Sequence, residues 1–151
     1  VLDNDWLLEQ IWIAIRSEAK DAGFKIAAVE LKKGFLDFGR PSEILNGNKY
    51  LLDQHSIKIE DFRILDIAHD RSFIKNPVYI GKNTKIFNSV IGPYVSIGTN
   101  SYIENCILAN CVIEKKSTLK NVITENSIIG SYVHIENITK DHLIIGDKSI
   151  Y

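Results

Sequence analysis

Few residues of this 151-residue chain combine a reactive side chain with a telling position. Asp37 sits in GFLDFG (34–39), a short apolar strand between Gly34 and Gly39. On the residues alone, its carboxylate caps or turns that strand as readily as it serves a site. Four histidines, His55, His69, His134 and His142, are the available general bases. Cys106 and Cys111 are the available thiols. Two cysteines in a loop-poor chain are no disulfide framework, and both read as small packing residues.

The elements that must position these residues are dominated by the last 74 residues, where one pattern recurs five times. Its units start at Val78, Val95, Cys111, Ser127 and Leu143. The third position is Ile80, Ile97, Ile113, Ile129 and Ile145; the fourth is Gly81, Gly98, Glu114, Gly130 and Gly146. The seventh is Thr84, Ser101, Ser117, Val133 and Ser149, and the ninth is Ile86, Ile103, Leu119, Ile135 and Tyr151. The eleventh is Asn88, Asn105, Asn121 and Asn137.

A fixed period of 16 to 17 residues with inner steps of five or six predicts a parallel β-helix. Strands alternate faces, so the third, seventh and ninth positions turn inward and stack about 4.8 Å apart from coil to coil. The glycine and asparagine columns are expected at corners, where positive φ is cheapest for those residues. Stacked asparagines are also expected to hydrogen-bond along the axis. Sandwich strands would not keep both columns in register, and hairpin dipeptides are missing. His134, at the eighth position between inward neighbours, is expected to face solvent.

Composition narrows the function classes. A charged fraction of 25% and an apolar fraction of 45% suit a globular domain with a core. The net charge is −1 and no basic cluster forms, which argues against nucleic acid or an anionic membrane as partner. No secretory signal or bilayer-spanning stretch is present, so a cytoplasmic protein is expected. The chain has no methionine and starts at Val1, which implies a piece of a longer protein.

Upstream, residues 5–22 predict a helix with Asp5 as N-cap and Gly23 at C′. Trp6, Leu7, Leu8, Ile11, Trp12, Ile13, Ala14 and Ile15 cover more than one stripe of it, which calls for a neighbour outside this sequence. FKIAAVEL (24–31) predicts a strand, and Pro41 and Ser42 open a second helix with Ser42 as N-cap. Helix, strand, strand and helix over 1–53 look like the trailing edge of an α/β layer. Residues 54–77 read as a connector with some strand pairing that caps the first coil, and 78–151 as the β-helix.

GFLDFGRPSEILNGNKYLLD (34–53), a short connector and coils beginning NPVYIG together resemble the sugar-phosphate nucleotidyltransferases. More narrowly they are similar to long archaeal-type glucose-1-phosphate thymidylyltransferase-like enzymes. SVIGPYVSIG (89–98) and HLIIGDKSIY (142–151) carry the same likeness. The family's G-x-x-x-D-x-G strand is shortened here by one residue before the aspartate. The resemblance implies a mainly β fold: a left-handed parallel β-helix after a helix–strand–helix remnant of an α/β nucleotidyltransferase domain. Left-handed winding runs against the usual rule for parallel crossovers.

The resemblance also implies that Asp37 is a metal ligand, holding Mg2+ with an earlier aspartate. The implied substrates are a nucleoside triphosphate and a sugar 1-phosphate. The family's glycine-rich triphosphate loop is not in these residues, so a separate N-terminal catalytic half is implied and the chain alone should be inactive. The coils would then serve homo-oligomerisation, spacing or regulation. A different class, the hexapeptide acyltransferase acting on a sugar with acyl-CoA, needs a histidine base at a groove between subunits. Neither His134 nor His142 is followed by the run of further coils that such a groove requires.

Overall fold

The computed structural model describes residues 4–25, 39–55 and 68–151. The chain divides into two compact units, Val1–Phe35 and Leu36–Tyr151. In the first, α1 spans Asn4–Asp21 and closes as expected at Gly23. Gly23 takes φ +79°, its N–H bonds Lys20 O at 3.0 Å, and the Phe24 N–H bonds Ala19 O at 2.9 Å. That pair of bonds satisfies two carbonyls the helix end would leave open. Trp12, Ile13 and Ile15 are all about half exposed. Phe24 and Lys25 form no strand; residues 26–31, with Gly34 and Asp37, lie outside the described residues.

In the second unit, α2 spans Pro41–His55. Ser42 is not its N-cap. The Glu43 and Ile44 N–H groups both bond the Arg40 carbonyl at 3.0 Å, so Arg40 stands at the cap and Pro41 at the first helical position. Proline suits that place because its φ is already helical and no N–H is wanted there. The ladder that follows begins at Ala68, within the stretch that reads as a connector.

The coils are built from eleven strands: β1 Ala68–Asp70, β2 Phe73–Ile74, β3 Val78–Ile80, β4 Lys85–Phe87, β5 Val90–Ile91 and β6 Val95–Ile97, then β7 Tyr102–Glu104, β8 Ile107–Ile113, β9 Thr118–Ile129, β10 His134–Thr139 and β11 Ile144–Ile145. Every pairing is parallel, and residues 16 or 17 apart are partners. The fold is a left-handed parallel β-helix of about five turns.

Each coil has three faces and three corners. On the first face Ile80, Ile97, Ile113 and Ile129 stack inward; on the second, Ile86, Ile103, Leu119 and Ile135 do. Nearly all are fully buried, at roughly 1.5–3 kcal/mol per side chain of apolar transfer. Thr84, Ser101 and Ser117 are buried with them. Their hydroxyls donate to the carbonyls of Gly98, Glu114 and Gly130, so no polar atom of that column is left open.

Asparagine does occupy the corners. Asn88, Asn105, Asn121 and Asn137 have φ between 51° and 60°, and each amide donates to the next at 2.7, 3.0 and 2.8 Å. The glycine column requires a correction. Gly81, Gly98, Gly130 and Gly146 are not at positive φ; among the described glycines only Gly23 and Gly92 are. Gly81, Gly98 and Gly130 are glycines because the next coil passes too close. A Cβ on Gly98 would lie 2.4 Å from Lys115 N and 2.7 Å from Glu114 C, both main-chain atoms. At Gly146, on the last coil, a Cβ meets nothing within 4 Å.

Gly98→Ala is therefore expected to cost about 1–3 kcal/mol, as overpacking against backbone does. Gly146→Ala should stay within about 0.5 kcal/mol of the parent. Urea unfolding of the two variants side by side checks the contrast, and equal losses would refute the close-approach account.

Candidate functional site

The histidines and carboxylates of the coils stay out of the core, whose inward positions are taken mostly by aliphatic residues with a few small hydroxyls and two thiols. His134 faces solvent as expected, with its side chain 45% exposed. Its Nε2 lies 3.0 Å from Glu136 Oε1, and the same carboxylate oxygen is 3.7 Å from Lys120 Nζ. His142 occupies an exposed corner at φ 58°, and His55 is exposed at the end of α2. His69 lies on β1 in register with Ile86. The histidines thus stand on different elements, and no three His, Cys, Asp or Glu side chains converge on a metal position among the described residues.

Both cysteines are buried, as expected of packing residues. Cys111 stands third in the column of Val78, Val95, Ser127 and Leu143, and its thiol donates to Ala109 O at 3.0 Å. Cys106 donates to Glu104 O at 3.1 Å. Burial pushes each thiol up to about 11, only partly opposed by backbone hydrogen bonds. A thiol so raised is a poor nucleophile near neutral pH.

An open groove of about 210 Å³ lies where α2 meets the first face. Asn48, Leu51, Leu52 and His55 line it from the helix, Tyr79 and Ser96 from the coils. Leu45 and Leu52 anchor the helix, both nearly fully buried. Between them the Asn48 amide donates from Nδ2 to Tyr94 O at 3.2 Å and accepts at Oδ1 from the Ser96 hydroxyl at 2.5 Å. Sequence reasoning passed over Asn48, since a polar residue in a helix reads by default as solvent-facing.

The family model of the GMPPB C-terminal domain matches residues 68–150. The match starts at the first residue of the parallel ladder. The chain belongs to that family. The GMPPB C-terminal domain is a C-terminal region of sugar-phosphate nucleotidyltransferases, so the coils are those of a nucleotide-sugar pyrophosphorylase-like protein. A search of curated proteins gave no match. No helix among the described residues is long and apolar enough to cross a membrane.

The thiol burial sets a pH signature. Each thiol titrates near 9 when exposed and near 11 in the fold, so the folded chain holds its protons longer. Stability should be intact below pH 9 and fall as pH rises towards 11. Urea midpoints at pH 8 and 10.5 check this, compared with the Cys106→Ala, Cys111→Ala double variant. The double variant should lose part of the drop.

Proposed function

We propose that this chain is the C-terminal part of an enzyme making a nucleotide-activated sugar, glucose-1-phosphate thymidylyltransferase-like in substrate choice. A phosphate oxygen of the sugar 1-phosphate attacks the α-phosphorus of a nucleoside triphosphate, and pyrophosphate leaves. The observation behind the nucleotide-sugar part of this reading is the family match along the coil ladder from Ala68 onward; the thymidylyl preference rests on the resemblance of residues 34–53, 89–98 and 142–151 alone. The catalytic groups belong to an upstream segment of the same cytoplasmic protein, and the coils serve homo-oligomerisation or regulation.

In this reading Asp37 and one upstream aspartate hold Mg2+. The described residues of this chain build no such site by themselves, and a lone carboxylate is half a site at most. The donor chemistry fits, since Mg2+ takes carboxylate and phosphate oxygens. The ion would offset negative charge gathering on the phosphate oxygens. Asp37's part is to present its oxygens from the stretch just ahead of α2.

The test uses the intact protein that includes the catalytic segment. It should release pyrophosphate from a nucleoside triphosphate and glucose 1-phosphate, with deoxythymidine triphosphate preferred among nucleotides. Asp37→Ala should cut that rate about 100-fold or more, as loss of a group that stabilises transition-state charge does. An unchanged rate would overturn the metal assignment.

A further inference from the structure

The outward column of the first face runs Tyr79, Ser96, Val112, Ile128 and Ile144, in register through successive coils. Ser96 is the one small hydroxyl in it. On α2 the face turned to the coils carries Leu45, Asn48 and Leu52 at i, i+3, i+7, the two leucines buried and Asn48 half-buried between them. Asn48 is the one amide in it. The two exceptions meet, joined by the 2.5 Å bond from the Ser96 hydroxyl to Asn48 Oδ1.

Apolar contacts alone do not fix a helix along a stack of coils. The coil repeat brings Val112 and Ile128 to the same place one and two steps on, so Leu45 and Leu52 would find similar cover after a slide of about 4.8 Å. An asparagine within an apolar seam removes that freedom, as a single buried asparagine sets register in a coiled coil. Asn48 is suited to this because its two bonds run in opposite senses. Oδ1 needs a donor, and apart from the bulky Tyr79 phenol only Ser96 offers a hydroxyl in that column. Nδ2 needs an acceptor, and Tyr94 O supplies it at the adjoining corner.

We infer that the Asn48–Ser96 pair is a register lock through which the β-helix positions the start of α2 for the nucleotidyl-transfer site. The chain entering α2 turns at Gly39 and Arg40, whose carbonyl caps the helix. Asp37 precedes Pro41 by four residues, so it can sit no further than about 14 Å from it. A shift of α2 by one coil would move Arg40 and Pro41, where the chain arrives from Asp37, by about 4.8 Å, a displacement large against what a metal ligand tolerates. This rests on the reading of Asp37 as a metal carboxylate. Asn48 is thus a positioning residue, remote from the reacting atoms.

The experiment compares Asn48→Leu and Ser96→Ala with the parent in the intact protein. Spin labels at Ser42→Cys and Lys115→Cys report the distance from the start of α2 to a coil corner; the buried Cys106 and Cys111 are poor competitors for the label. The parent should give one narrow distance distribution. Asn48→Leu should broaden it or add a second population, while leaving the unfolding midpoint at or above that of the parent, because leucine completes the apolar seam. The Mg2+ concentration for half-maximal rate should rise about tenfold or more, with a smaller rise for Ser96→Ala. A single unshifted distance in Asn48→Leu would overturn the lock. So would a broadened distance with an unchanged Mg2+ requirement, which would reduce the pair to a structural contact. If Asp37→Ala keeps full activity, the metal reading fails separately, whatever the labels show.

Discussion

The vertical stacking of like residues, one coil on the next, is the constraint on which everything else here depends. Parallel strands pair at a fixed spacing, so whatever stands at one position must fit against its own counterpart about 4.8 Å away. Aliphatic side chains meet this by packing into a continuous core. Asparagines meet it by donating to one another at the Asn88–Asn137 corner, where a left-handed backbone would otherwise cost each coil something. Glycines meet it by yielding space to the backbone of the following coil. One geometric demand thus explains three quite different residue columns.

The same demand explains why the coils carry so little chemistry. Inward positions are spoken for, and the flat outer faces leave histidines such as His134 beside solvent with a carboxylate for company. The cysteines are stacked into the core and their thiols held protonated. A scaffold of this kind acts by what it holds. The element it holds most specifically is α2, seated by two leucines and one asparagine, and α2 is where the chain arrives from Asp37.

Much of this was legible from spacing. The isoleucine columns, the asparagine corners, the outward histidine and the buried cysteines follow from period and side-chain shape alone. The role of the glycines was not, because a sequence shows tolerance of positive φ and tolerance of close approach by the same residue. Strand pairing in 54–77 was legible, but that Ala68–Asp70 and Phe73–Ile74 belong to the coils was not, because they lack the isoleucine–glycine signature. Ser42 looked like a cap by residue type, yet a proline just before it moved the helix start forward and left Arg40 at the cap. Asn48 carried no signal until the column it faces was known. Aligned against that column, a polar residue among leucines opposite a serine among aliphatics becomes readable.

The central claim is that residues 16 or 17 apart are lateral neighbours in parallel at every face, and NMR measures this most directly. Cross-strand nuclear Overhauser effects should link Tyr79 with Ser96, Ser96 with Val112, Ile103 with Leu119 and Leu119 with Ile135 in one repeating parallel pattern. Antiparallel contacts between strands consecutive in sequence, in place of that pattern, would contradict the β-helix and everything built on it.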